Sequence, residues 1–281
     1  MTAAVDVTLE VAPGEVLGIA GPNGAGKSTI ISLLMGFLAP DAGEITLDGL
    51  APRAFVEREG VAYLPELMTL PPHWRTDETL KRLAALSGIA PAERRAAVER
   101  VIEAVGIGEH RGKRLKALSK GNLQRVGLAH ALLQERRLVI FDEPTHGLDP
   151  VWTAKFRTLV ANLRRDDRTM VIASHNLDEL ERLCDRVAII DHGRLQRIVT
   201  VRDMAGSTEP RRWRLQVAMG ADAVVAQFEG AVARGGVVEC TADVPALNRG
   251  LAAAIAAGAL VTAVLPAESS LEEAFRSAVS S

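Results

Sequence analysis

Short apolar runs alternate with longer amphipathic stretches through the first two thirds of the chain. A short, wholly apolar run is typical of a strand buried on both faces, whereas an apolar residue at every third or fourth position is typical of a helix. This alternation predicts an α/β domain with a largely parallel sheet that helices cover on both faces. The predicted buried strands are Val16–Ala20, Leu138–Phe141, Thr169–Ala173 and Val187–Ile190, and the predicted helices include Leu123–Gln134, Val151–Arg164 and Asn176–Leu183.

Two further patterns predict additions to this sheet. Val5–Val11 alternates apolar with polar residues, as in a half-buried strand, and Ile45–Leu47 before a turn predicts a second short antiparallel strand. Between Thr76 and Leu118 the spacing of apolar residues is helical. We therefore expect an antiparallel β edge and, at about residues 67–118, a helical subdomain.

A break rich in Gly, Ser and Pro at Asp203–Pro210 predicts a domain boundary, with one domain at residues 1–205 and a small α+β domain at 211–281. The second domain holds no motif linked to chemistry, so a role in regulation, dimerisation or cargo binding stays open. Its predicted strands are Trp213–Ala218, Val237–Thr241 and Leu260–Leu265, and its predicted helices are Ala221–Arg234, Pro245–Ala257 and Ser270–Ser277.

Composition narrows the classes of partner. The 281 residues carry a formal net charge of −2, so no basic surplus indicates a nucleic-acid partner. Cys184 and Cys240 lack the spacing of a metal or redox motif, which is typical of a reducing compartment. No secretory signal is recognisable, and the longest apolar stretch, Leu251–Leu265, is shorter than the ~20 residues of a membrane-spanning helix. We expect any membrane connection to run through a partner.

A glycine-rich segment follows the first predicted buried strand and fits G-x-x-x-x-G-K-[ST]. A strand, such a loop and a helix in this order direct backbone N–H groups at one point, which suits phosphate oxygens. Lys27 would reach the β- and γ-phosphates, and Ser28 would ligate Mg²⁺. The predicted nucleoside triphosphate site comprises Gly21, Pro22, Asn23, Gly24, Ala25, Gly26, Lys27, Ser28 and Thr29.

Polar residues follow two other predicted strands. Asp142 ends one strand and can hold Mg²⁺, and the next residue, Glu143, would act as general base toward water. His175 follows another strand and would donate to the γ-phosphate or position the water. A Ser–His–Asp hydrolase is set aside because no G-x-S-x-G elbow is present. Ser119 and Gly121 directly precede the predicted helix Leu123–Gln134 and could form an ordinary N-cap or a second anion site there.

Together these motifs resemble the nucleotide-binding subunit of an ABC transporter, from about Val5 to Thr200. The end of the chain, Ser270–Phe275, is similar to that of ATPase subunits serving ABC-2 type exporters. The motifs, in the family's order, are Walker A at Gly21–Ser28, the Q-loop position at Glu66, the signature at Leu118–Asn122, Walker B at Leu138–Glu143, the D-loop at Gly147–Asp149 and the switch histidine at His175.

The resemblance implies a P-loop NTPase sheet of the ABC ATPase type and a Mg²⁺-dependent ATPase that powers a polytopic permease, with export favoured. The chain would form a head-to-tail dimer with itself or a homologous subunit, and would lie in the cytoplasm on the inner face of the membrane. The alternative is a soluble ABC ATPase of cofactor or macromolecular assembly. The implied catalytic residues are Lys27, Glu66, Glu143 and His175, the metal ligands are Ser28, Glu66 and Asp142, and Ser119, Gly121 and Asp149 would contact the partner's ATP.

The chain departs from the family pattern at several positions. Glu66 stands in place of the usual Gln, and Lys120 and Asn122 replace a Gly and a Gln of the signature. Lys120 would either add a cation near the partner's phosphates or be solvated. No aromatic residue precedes Phe37, so none is present to stack on adenine at the usual position. We expect either that the recorded start is late or that another element contacts the base.

Overall fold

The computed structural model describes residues 4–201, 210–267 and 270–279. The chain divides into two compact units, Met1–Val199 and Thr200–Ser281. Within the described ranges, every helix is too short or too polar to cross a membrane.

The first unit is built on a six-stranded sheet in the order β2-β3-β4-β1-β5-β6. Strands β2, β3, β4, β1 and β5 pair in parallel, and every residue of β1 and β3 is buried. Burial on both faces explains why these strands are continuous apolar runs. The strands are β1 (Val16–Ala20), β2 (Ala62–Leu64), β3 (Leu138–Asp142), β4 (Thr169–Ser174), β5 (Arg186–Asp191) and β6 (Arg194–Thr200).

Helices fill the connections of this unit. A polar side chain caps the start of three of them and accepts a hydrogen bond from the backbone three residues on, which fixes where each helix begins: Ser119, Asp149 and Asn176. The helices are α1 (Lys27–Leu34), α2 (Pro52–Glu59), α3 (Thr76–Leu86), α4 (Arg94–Ala104), α5 (Lys120–Ala131), α6 (Pro150–Leu163) and α7 (Leu177–Leu183), with 3₁₀ turns at Gly108–His110 and Leu115–Ala117.

The register of the central strands decides where polar residues meet. Ala20 at the end of β1 pairs with Ser174 at the end of β4, and Asp142 at the end of β3 pairs with Ala173. Since all three strands are parallel, the segments that follow them lie at one edge of the sheet.

The second unit is a four-stranded sheet in the order β10-β7-β9-β8, with every neighbouring pair antiparallel. Its core is aliphatic apart from Trp213, Phe228 and Cys240, and the Trp213 indole Nε1 donates to the carbonyl of Ala242 at 2.9 Å. The elements are β7 (Arg211–Met219), α8 (Ala221–Val225), β8 (Val232–Arg234), β9 (Val237–Ala242), α9 (Val244–Ala256), β10 (Leu260–Pro266) and α10 (Ser270–Val279).

The two predicted antiparallel strands near the N-terminus are wrong. Val5–Val11 is not a strand, although Val7, Leu9 and Val11 pack on the core, and Ile45–Leu47 yields only an isolated bridge from Leu47 to Leu50. Alternating burial requires only a surface to pack on, whereas a strand requires a neighbouring backbone to bond with. The sheet's edge is instead β6, which follows β5 after a two-residue turn and had no counterpart in the sequence analysis.

Other boundaries also differ from expectation. The predicted helix Ala221–Arg234 is wrong beyond Val225, because the chain forms β8 at Val232–Arg234. Gly235 and Gly236 have φ of 56° and 82°, the left-handed pair that a tight hairpin turn between β8 and β9 requires. The short elements α2 and β2 were missed as well. Nearly all of the predicted break at Asp203–Pro210 lies outside the described residues.

The ring of Phe156 on α6 is fully buried and meets the ring of Phe141 edge to face, with centroids 5.8 Å apart. We expect Phe156→Ala to lower the free energy of unfolding of the first unit by about 3–5 kcal/mol, because a cavity replaces the ring. Urea unfolding followed by tryptophan fluorescence measures the change. Val151→Ala on the same helix is the control. Val151 is 66% exposed, so this substitution should change the free energy of unfolding by less than ~0.5 kcal/mol. Equal costs for the two variants would contradict the packing described.

Candidate functional site

The glycine-rich loop joins the end of β1 to the start of α1. Gly24 and Gly26 have φ of 83° and 107°, which a residue with a side chain rarely adopts. The side chain of Lys27, the first residue of α1, is buried, and its Nζ donates to the carbonyls of Gly21 at 2.8 Å and Pro22 at 3.3 Å. The loop thus wraps around an ammonium group at a helix N-terminus, an arrangement suited to anions.

Asp142 ends β3 beside this loop. Its Oδ2 accepts a hydrogen bond from the Ser28 hydroxyl at 3.2 Å, and its buried Oδ1 has no hydrogen-bond partner among the described residues. Burial raises the pKa of Asp142 to about 6, and the charges of Glu66 and Glu143 add to the rise, while the Ser28 hydroxyl and Lys27 oppose it. A buried carboxylate with a free oxygen, next to a hydroxyl and a further carboxylate, fits a divalent cation that prefers oxygen ligands.

Glu143 follows directly and has a positive φ of 48°, uncommon for a residue with a side chain. Its carboxylate is held by the segment after β4: Oε1 accepts from the backbone N–H of His175 at 3.0 Å, and Oε2 accepts from the Ser174 hydroxyl at 3.2 Å. The Nδ1 of His175 lies 2.9 Å from Oε2, and the Lys27 Nζ lies 3.7 Å from Oε1. The carboxylate is therefore fixed between the loop lysine and the histidine.

The structure brings Lys27, Ser28, Asp142, Glu143 and His175 together at one edge of the sheet. Glu66 lies after the end of β2 and is exposed to solvent. Its negative charge contributes to the raised pKa of Asp142.

The residues expected to face a partner lie at two helix starts. Ser119 Oγ accepts from the Asn122 N–H at 3.2 Å, and Asp149 Oδ1 accepts from the Trp152 N–H at 2.9 Å. The backbone of Gly121 is close to the Gly147 carbonyl, which a Cβ on Gly121 would approach to 2.8 Å. No hydrogen bond in the described part of the chain joins Ser119, Gly121 or Asp149 to the phosphate loop.

Three residues at the site had no role in the sequence analysis. Ser174 and Gln124 hold Glu143, since the Gln124 amide donates to the carbonyl of Glu143 at 3.3 Å. Tyr63 on β2 has its pKa raised by burial and by the charge of Asp142. The sequence could have indicated Ser174, because it immediately precedes His175. No sequence motif indicates Gln124 or Tyr63, whose position at the site follows from the packing of the fold.

Comparison with known proteins identifies the family. Residues 4–146 match the profile of the ABC transporter family. An uncharacterized ABC transporter ATP-binding protein of Bacillus subtilis, YdbJ, is 32% identical over 280 residues, covering 96% of this chain and 88% of that protein. The chain belongs to the ABC transporter family of ATP-binding proteins.

Other relatives are matched over part of their length. The Nod factor export ATP-binding protein I of Paraburkholderia xenovorans is 37% identical over 195 residues, which is 67% of this chain and 62% of that protein. Across several such relatives, the match spans about three fifths of their length.

Solved structures agree on the fold. An ATP-binding subunit of an ABC transporter superposes with a TM-score of 0.64 at 30% identity, covering 73% of this chain and 86% of that one. The dimeric cassette MJ0796 superposes with a TM-score of 0.65 at 23% identity, covering 71% of this chain and 90% of that one. The predicted fold class, a P-loop sheet of the ABC ATPase type with a separate small α+β domain, is confirmed, although its antiparallel edge is formed by other residues than expected.

The raised pKa of Asp142 predicts a pH-dependent cost to stability. Since the folded-state pKa lies near 6 and the ordinary value is 3.8, the folded chain binds this proton more tightly, and stability falls as the pH rises between these values. We expect Asp142→Asn to raise the free energy of unfolding by about 2–3 kcal/mol at pH 7.5, at 1.36 kcal/mol per pKa unit.

Urea unfolding in EDTA without nucleotide measures this gain, which should shrink as the pH is lowered from 6 to 4. The exposed Asp41→Asn is the control and should change stability by less than ~0.5 kcal/mol at either pH. A gain in Asp142→Asn that does not vary with pH would contradict the assigned charge burial.

Proposed function

We propose that this chain is a Mg²⁺-dependent ATPase that powers a separate membrane permease. The observation that carries the proposal is the meeting of Lys27, Ser28, Asp142, Glu143 and His175 at one sheet edge, beside a loop suited to phosphates. Family membership supports it, because relatives across the family are described as ABC transporter ATP-binding proteins.

Each side chain has a distinct task in this proposal. Lys27 gives up its bonds to the loop carbonyls and binds the β- and γ-phosphates, which the loop N–H groups also bind. Ser28, Asp142 and Glu66 would hold Mg²⁺, which would supply positive charge to offset that of the phosphates. The unpartnered oxygen of Asp142 suits this role, since metal binding would satisfy it.

Glu143 is the proposed general base, accepting a proton from the attacking water at its carboxylate. Its two oxygens are held by the His175 N–H and the Ser174 hydroxyl, so little reorientation is required before the proton moves. His175 contacts the same carboxylate through Nδ1, which leaves the rest of its half-exposed ring free to meet the γ-phosphate.

Two chains acting head to tail complete the proposal. Ser119, Gly121 and Asp149 lie at helix starts with no bond to this chain's own phosphate loop among the described residues, as expected if they serve the partner's ATP. A dimeric cassette among the structural neighbours supports this arrangement. The helical segment near residues 67–118 is the proposed contact with the permease on the inner face of the membrane. Export is the favoured direction, because several relatives are described as Nod factor export ATP-binding proteins.

Glu143→Gln tests the chemistry. Without a general base, ATP turnover should fall by about 10²–10⁴-fold, while the loop and Lys27 still bind ATP, so MgATP should accumulate a closed dimer. Phosphate release and light scattering coupled to size-exclusion chromatography measure the two effects. Lys27→Ala is the control and should lose both activity and the ATP-dependent dimer. Wild-type turnover in Glu143→Gln would rule out the assigned role.

A purification experiment tests the partner. We expect tagged Glu143→Gln chain, isolated with MgATP from detergent-solubilised native membranes, to carry a polytopic membrane protein in near-equal amount. Mass spectrometry identifies the partner, and untagged membranes provide the background. Recovery of soluble partners alone would contradict the transport proposal and favour an assembly ATPase.

A further inference from the structure

Lys120, the first residue of α5, contacts the loop that follows Glu143. Its Nζ lies 2.8 Å from Nε2 of His146. The same side chain lies over Gly147, where a Cβ would come within 3.0 Å of the Lys120 Cδ. Gly147 has a φ of 80° and contributes no side chain, so the lysine fits against its backbone. From the sequence, Lys120 was expected either to lie near the partner's phosphates or to be solvated. Instead, its ammonium group bonds to an imidazole of its own chain.

The chemistry of the pair fixes the histidine tautomer. An ammonium group carries three donors and no acceptor, so Nε2 of His146 must be the acceptor. The neutral ring then carries its proton on Nδ1. The bond therefore exists only with one of the two neutral tautomers, and a protonated ring has no acceptor for it.

Helix α5 holds this loop at two places. Near its start, Lys120 reaches His146, and one turn later the Gln124 amide donates to the carbonyls of Glu143 and Pro144, each at 3.3 Å. The loop carries the proposed base at one end and Asp149 at the other, while Lys120 stands between Ser119 and Gly121. The contacts of α5 thus link both groups of proposed site residues.

We propose that Lys120 is a positioning residue, which acts through His146 to set the loop from Glu143 to Asp149 against the start of α5, and that it is not a phosphate ligand. The inference rests on the proposed function for its effect on catalysis, but the contact itself does not depend on nucleotide.

A double-mutant cycle on the full chain tests the effect. Lys120→Met and His146→Ala should each lower kcat for ATP hydrolysis by about 3- to 10-fold, with KM changed less than about 2-fold, and the double variant should be no slower than either. His146→Gln, which retains an acceptor, should recover part of the rate. The exposed Lys155→Met on α6 is the control for removing another lysine and should match the wild type. A rise in KM on Lys120→Met with no effect of His146→Ala would overturn the proposal in favour of phosphate binding, and additive losses would overturn the coupling.

Nitrogen-15 NMR of the nucleotide-free chain tests the contact separately. At pH 8, His146 should show an unprotonated Nε2 and a protonated Nδ1, and Lys120→Met should shift the Nε2 resonance while Lys155→Met should not. A proton on Nε2 in the wild type would overturn the bond. Because this readout needs no ATP, it distinguishes failure of the contact from failure of the proposed ATPase activity.

Discussion

The burial of two neighbouring carboxylates at the end of β3 is the constraint around which the first unit is organised. Asp142 and Glu143 are 4% and 6% exposed, and charged groups so far from water are costly unless they are paired or hydrogen-bonded. The carboxylate of Glu143 has an ion-pair partner in the loop lysine and hydrogen bonds from a hydroxyl and a backbone N–H. Among the described residues Asp142 has one hydroxyl partner and an Oδ1 without any, and burial raises its pKa. A bound cation would offset that cost.

Parallel strand pairing is what makes this charge cluster possible. Residues far apart in sequence, such as Lys27 and His175, reach Glu143 because β1, β3 and β4 end at the same edge. The start of α5 also contacts this cluster. Gln124 binds the backbone of Glu143, and Lys120 binds the loop that follows it. The proposed catalytic residues and the proposed partner-facing surface are thus connected through one helix.

Much of this could be predicted because the decisive signals are local. The strand predicted at Thr169–Ala173 ends one residue later in the structure, and the phosphate-loop residues follow β1 as expected. The failures have a common physical origin in contacts between distant segments. Whether Val5–Val11 becomes a strand depends on a neighbouring backbone, which its own alternation does not reveal. Likewise the signature departures Lys120 and Asn122 each meet a histidine, His146 and His110, that no spacing rule connects to them.

The backbone of Glu143 shows how these contacts act together. A positive φ at a residue with a side chain costs of order 1–3 kcal/mol and persists only where neighbours enforce it. Here β4 accepts the Glu143 N–H through the carbonyl of Ala173 at 2.9 Å, and α5 donates to its carbonyl through Gln124. The His146 N–H donates to the same carbonyl at 3.1 Å, so α5 supplies one of three hydrogen bonds that restrain the strained backbone. The helix that begins at Lys120 therefore helps to hold the backbone of Glu143, while Lys27, Ser174 and His175 hold its carboxylate.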